Sequence, residues 1–332
     1  MSALHLKQDD IEYAIENTQV ILAPERQIAT FGNTSFEFHL VSELMDRVDQ
    51  VRIRTGRIEA ERPKILSPEY FCRMMLEGFG ERAQEYVDRL REQARQIVAF
   101  EMGLMTAQTR DDKAGNLQSQ GADGGPQSLA KQPFFIGIND PLGNNPQGLS
   151  FDPKAFTSFA QFGLSDDDRS FGEECERRRA RESIRRGEAI FNTKSFTIEN
   201  VAGLPSTSLK GNCTLCHDTP NVGDHSVAAP LNIGLADASQ RTPDLPLYTL
   251  YCFSTQETIQ TTDPGRAMIT GKCADIGKFK GPTLRALAAR PPYFHNRSAA
   301  TLNDVVNFYN TRFHIGFSDQ EKADLIAFLK SL

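Results

Sequence analysis

The chain has 332 residues, enough for two ordinary domains and a sizeable core. Hydrophobic residues make up 39% and charged residues 24%, which excludes a largely disordered chain. The net charge of −6 gives no support to nucleic-acid or anionic-membrane binding, and no apolar run approaches the ~18 residues of a membrane helix.

Residues 1–92 mix strand and helix signals and predict a small α+β segment. Phe36, Phe38 and Leu40 alternate with polar neighbours, as do Val51 and Ile53 before Thr55-Gly56 and Ile58, giving a hairpin that turns near Gly56. Ser67-Pro68 reads as an N-cap with proline at the first helical position, leading into a helix over Tyr70 to Glu77. The first ten residues lack the basic and apolar regions of a secretory signal. Residues 93–130 read as helix and linker. Ala83, Val87, Leu90, Ala94, Ile97, Val98, Leu104 and Met105 keep helical spacing and predict a helix from about Glu81 to Met105. Thr106 to Gln127, rich in Gly, Asp, Gln and Ser, reads as a loop.

Residues 131–332 form the third stretch. Gln132 to Asp140 looks buried, and a charged helix covers about Glu173 to Phe191. Its run Arg177-Arg178-Arg179-Ala180-Arg181 with Arg185 and Arg186 is interleaved with Glu174, Glu176 and Glu182, the pattern of a solvated helix face. Residues 192–282 are loop-rich. Thr301 caps a helix over Leu302 to Tyr309, and the capping box Ser318-x-x-Glu321 starts a last helix carrying Leu325, Ile326, Phe328 and Leu329. No internal repeat is found.

Cys213-Thr214-Leu215-Cys216-His217 is the strongest signal in the chain. CxxCH reads as c-type haem attachment: two cysteines three apart on a turn reach the porphyrin vinyl groups, and the following histidine lies under the iron. A redox CxxC would sit at a strand-to-helix turn, which the surroundings do not show. A zinc site would need a second ligand pair, and no second CxxC or HxxxH exists. The expected fold is mainly α, a cytochrome c-type haem domain over 131–332 with long loops wrapping the haem, preceded by the small α+β segment. One covalent haem c is expected.

From about Gln93 onward the chain resembles the di-haem cytochrome c peroxidase and MauG-type family, rubber-oxygenase-like cytochromes included. The resemblance is carried by Asp263-Pro264-Gly265-Arg266, Phe279-Lys280-Gly281-Pro282-Thr283-Leu284-Arg285, Pro292-Tyr293-Phe294-His295, and Thr301-Leu302 with Val305-Val306, Phe308-Tyr309-Asn310. Helix Gln96 to Leu104 looks like the family's inter-domain helix. The family carries two haems, one for peroxide or oxygen chemistry and one that shuttles electrons. Here one CxxCH is present, and residues 1–92 resemble no cytochrome. A fusion, a recombination event and a mis-called start all remain open.

The resemblance also bears on the second axial ligand. The family's peroxidases have a methionine fourteen residues beyond the histidine of the Pro-Tyr-Phe-His segment, and MauG-type proteins a tyrosine; here that position is Tyr309. Tyrosinate favours ferric iron and a low potential. The alternative ligands are Met268 and His295, and a core aromatic is the competing role for Tyr309. The family commonly places His295 beside the haem as a supporting group, and Arg285 is a candidate partner of a haem propionate. Calcium, common between the family's haem domains, is not carried over, because one domain is missing and Arg290 stands near the expected site.

The other residues give weaker signals. Cys252 and Cys273 flank a twenty-residue loop and would form a disulfide in an oxidising compartment. Cys72 and Cys175 read as structural, His225 and His314 as surface or supporting residues, and Asp224 and Asp263 as turn residues. His5 and His39 lie outside the haem domain. The expected function is electron transfer to or from a redox partner protein or small donor, with a peroxidase or oxygenase completed by a second haem domain as the alternative. A cytoplasmic binding module without haem is the third reading. Haem c chemistry implies the periplasm. The oligomeric state is left open.

Overall fold

A computed structural model describes residues 88–89, 92–93, 95–97, 100, 104–164, 171–225 and 230–332, and the backbone of strand β1 (Thr18–Leu22). The hairpin expected near Gly56, the helix expected over 70–77, His5, His39 and Cys72 lie outside these residues. The chain divides into two compact units, one of residues 1–21 with 105–332 and the other of residues 22–104. Apart from the end residues Leu22 and Leu104 of its first two strands, the first contains everything that follows.

Strand β2 (Leu104–Gln108) pairs with β1. The helix expected to reach Met105 therefore stops earlier. Gly103 is a poor helix residue, and the backbone from Leu104 onward is extended, with the Gln108 amide donating to the Leu332 carbonyl at 3.2 Å. The loop expected over 106–127 contains the short hairpin β3–β4 (Arg110–Asp111, Gly115–Asn116) and leads into α1 (Gly125–Leu129). It is not a free linker, because Ala114, Leu117 and Ala122 belong to the main hydrophobic core. Composition misleads here, since small residues can be fully buried without looking apolar.

The core is organised by two helices, α2 (Glu173–Thr193) and the closing α5 (Asp319–Ser331). They meet at Gly187, where a Cβ would lie 2.0 Å from the Asp324 carbonyl oxygen, so only glycine allows the backbones this close. Asp324 is buried beside the crossing. It accepts from Arg186 Nε (2.8 Å), Arg186 Nη2 (2.9 Å) and the Ser183 hydroxyl (2.6 Å). Burial alone would raise its pKa, but these hydrogen bonds together with one from Gln320 hold it below the ordinary carboxylate value.

An aromatic cluster fills the layer beneath. Phe156 meets Phe191 and Phe328 edge-on at 5.1 and 5.3 Å, and Phe159 meets Phe328 at 6.2 Å. Such pairs contribute about 0.5–1.5 kcal/mol each beyond their burial. The arginine run of α2 is only partly a solvated face. Arg181 is buried, donates Nε to the Ala114 carbonyl at 3.0 Å and lies over the Phe162 ring.

Two antiparallel hairpins punctuate the loop-rich middle, β5–β6 (Phe196–Glu199, Ser208–Gly211) and β7–β8 (Tyr248–Cys252, Glu257–Thr261). The Cys252–Cys273 disulfide joins the second to the chain beyond the four-residue helix α3 (Ala267–Thr270). α4 (Leu302–Arg312) precedes α5, and both carry complete capping boxes, Thr301 with Asp304 and Ser318 with Glu321. Among the described residues, helices carry the core and short two-stranded ladders shape the loops. No helix among them is long and apolar enough to cross a membrane.

Candidate haem-binding site

The CxxCH segment forms a single 3-10 turn, Cys213–Leu215, directly after β6. Asn212 caps it, its Oδ1 accepting from the Thr214 amide (3.1 Å) and hydroxyl (2.6 Å), while its own amide donates to the Asn192 carbonyl at the end of α2. The His217 amide donates to the Cys213 carbonyl at 3.1 Å and extends the turn. Cys213, Cys216 and His217 thereby stand together on the wall of an apolar cavity of about 510 Å³.

The imidazole of His217 is oriented from behind. Its Nδ1 lies 2.9 Å from the Gly223 carbonyl. A carbonyl only accepts, so Nδ1 carries the proton and Nε2 keeps its lone pair for a metal. Burial pulls the His217 pKa below its usual value, opposed by the Gly223 hydrogen bond. Burial pushes both thiols up to about 12, with Cys216 adding to the effect on Cys213 and Asp218 to that on Cys216. Two neutral thiols and a neutral imidazole beside an apolar cavity are a donor set that fits a covalently bound haem.

Another stretch of the wall is aromatic. The His295 ring stacks on Phe279 with centroids 3.8 Å apart, and its Nε2 lies 3.4 Å from Asp263 Oδ2. Burial lowers the His295 pKa and Asp263 opposes it. Tyr309, on α4, packs among Phe294 (6.3 Å), Phe308 (5.5 Å) and Phe313 (6.3 Å). Burial first, then Cys216 and Cys213, push its phenol well above the usual range. Lys280 and Arg290 are the cations on the wall.

No protein-family model matches the chain. Among curated proteins it is 34% identical over 133 residues to the cytochrome-c peroxidase IdrP2 of Denitromonas iodatirespirans, covering 37% of this chain and 36% of that protein. It is 30% identical over 170 residues to IdrP1 of a Pseudomonas species, covering 45% and 40%. Against the cytochrome c551 peroxidase of Nitrosomonas europaea it is 40% identical over 76 residues, covering 22% and 23%. The matched part of the chain is similar to cytochrome-c peroxidases, at modest identity and over part of each protein. The chain spans about two fifths of the length of the first curated relatives it matches. A crystal structure of a MauG-like protein associated with microbial copper homeostasis is 27% identical, covers 46% of this chain and 43% of its own, and superposes with a TM-score of 0.29.

The family motifs occupy distinct places in the structure. Cys213, Cys216, His217, His295 and Tyr309 all line the cavity. Met268 does not, and is 76% exposed on α3. Arg285 is buried but not on the cavity wall. Its charge faces Glu188, its Nε and Nη1 have no hydrogen-bond partner among the described residues, and burial pulls its pKa down to about 9. Asp263 is a turn residue whose Oδ1 accepts from the Gly265 amide at 2.8 Å, and its other oxygen faces His295. His314 is exposed, whereas His225 is almost completely buried. Cys252 and Cys273 are disulfide-bonded, and Cys175 is a half-buried free thiol.

Sequence reading missed Gly223, whose carbonyl orients His217, and Asn212, whose side chain closes the attachment turn. It also missed Phe156, Phe159 and Phe162, which are fully buried. Their three-residue spacing in Phe-x-x-Phe-x-x-Phe was the available signal.

Proposed function

We propose that this chain is an electron-transfer c-type haem protein, carrying one haem bonded through Cys213 and Cys216 and ligated by His217. The supporting observation is the convergence of both thiols and an imidazole with a free Nε2 on one apolar cavity. A bound haem supplies a one-electron centre that cycles between ferric and ferrous iron. The protein's part is to exclude water with Phe191, Leu231, Leu325 and their neighbours, to hold His217 in one tautomer, and to offer Lys280 and Arg290 as cations. Tyr309, on the cavity wall, would be the second residue to hold the iron, with His295 a supporting group against Asp263. The electron partner is a protein or small donor, and the compartment that fits covalent haem attachment is the periplasm.

The names of the curated relatives favour a second reading, in which a further haem domain completes a peroxidase or oxygenase. Expression of the full chain with haem-maturation machinery, followed by haem staining on a denaturing gel and absorption spectra, tests both. A stained band with a six-coordinate low-spin spectrum indifferent to peroxide supports electron transfer. A high-spin component that reacts with peroxide supports the enzyme. An unstained band sinks both and leaves a binding module without haem.

A further inference from the structure

We propose that His225 is a positioning residue for the haem-ligating His217: with Asp218 it clamps the turn whose Gly223 carbonyl orients the His217 imidazole. The inference rests on the haem reading above.

The chain after the attachment motif folds back on itself within a few residues. The Thr219 amide donates to the Asp224 carbonyl at 2.9 Å, and the amides of Val222 and Gly223 donate to the Thr219 carbonyl at 3.1 and 2.9 Å. Gly223 takes a φ of +67°, and a Cβ there would lie 2.7 Å from Phe156 and 2.9 Å from Leu284. Its carbonyl is thus fixed in direction and receives His217 Nδ1 at 2.9 Å. At the open end of this loop His225 Nδ1 meets Asp218 Oδ2 at 2.9 Å, with the Asp218 side chain fully buried, while the Ser158 hydroxyl donates to Asn221 Oδ1 at 3.0 Å and Lys280 Nζ lies 3.3 Å from Asp224 Oδ2.

The unusual feature is the other nitrogen. Among the described residues His225 Nε2 is buried with no hydrogen-bond partner, a costly way to bury an imidazole. The contact at Nδ1 is the one that ties His225 to the turn. The clamp also backs directly on the cavity. Gly281 lines the cavity, and a Cβ on it would lie 2.9 Å from the His225 Cβ. A firm Nδ1–H···O bond increases the donor strength of an iron-bound imidazole. Loosening the turn weakens that bond and favours ferrous iron.

The test uses the full holoprotein as wild type, His225→Leu and His225→Asn; the asparagine amide nitrogen stands close to where Nδ1 does and restores the donor. The readouts are haem staining, the ferric/ferrous ratio at fixed applied potential, and the nitrogen-15 resonance of the His217 Nδ1–H. All three proteins are expected to stain. The leucine variant should shift the ratio about tenfold toward ferrous, about 59 mV for one electron, with the Nδ1–H resonance moved or broadened. The asparagine variant should return to within about twofold of wild type, roughly three tenths of the leucine shift in potential. A leucine variant that titrates like wild type overturns the proposal, as does an asparagine variant shifted as far as leucine. Should the leucine variant not fold, amide exchange in the wild type decides. Slow exchange at Thr219 and Gly223 upholds the clamp, and fast exchange overturns it. A wild type without covalent haem would refute the haem reading itself.

Discussion

Two stretches of the cavity wall are built on different principles. The motif stretch, Cys213 to His225, is held by a dense set of short-range hydrogen bonds, and its attachment and ligand atoms are fixed by backbone geometry. The aromatic stretch, Phe279 with Phe294, His295 and Tyr309, is held by ring contacts at 3.8 to 6.3 Å. Hydrogen bonds are directional and fix an orientation, whereas packed rings tolerate substitution of similar shape. The first stretch therefore holds its donor atoms in one arrangement, whereas the second tolerates exchange of its rings for others of similar shape.

The largest expected effect breaks the first stretch outright. Cys213→Ala combined with Cys216→Ala should abolish covalent haem, read as a lost haem stain on a polypeptide band that is still present. Next is Gly223→Val, which forces a branched side chain into a left-handed backbone position against Phe156 and Leu284. It should cost at least about 1–3 kcal/mol, read as a lowered denaturant midpoint. Tyr309→Phe probes the aromatic stretch. The fold should lose less than ~1.5 kcal/mol, while the ferric absorption and EPR spectra change if the phenol binds iron. Unchanged spectra would move the ligand assignment to His295.

The smallest effect concerns the polar layer of the core. Glu188 accepts from the Phe159 amide at 2.8 Å, and burial, opposed by that bond and by Arg285, pushes its pKa up to about 7 from 4.5. Between these two values the folded state binds more protons than the unfolded state, so stability falls as pH rises through that window. Glu188→Gln should flatten this slope, measured by denaturation at a series of pH values. A slope that survives assigns the proton elsewhere.

The parts of the molecule legible in the sequence follow local rules. CxxCH, the boxes at Thr301 and Ser318, and the charged helix, which ends at Thr193 rather than Phe191, depend on neighbours a few residues away. The rest depends on distant partners. Arg181 reads as a surface cation until Ala114 and Phe162 are placed beside it. Arg285 belongs to a family motif, yet its charge meets Glu188 rather than the cavity. His225 looks peripheral until Asp218 is seen seven residues back in a closed turn.

The crossing at Gly187 has a consequence for divergence. Two backbones in direct contact define a reference point that no side-chain exchange can shift, and both Phe191 and Leu325 reach the cavity from within one helical turn of it. The intervening hairpins can then lengthen, shorten or be replaced without moving that frame. Insertions between β5 and α4 are accordingly the natural place for relatives to diverge while keeping one architecture around the cavity.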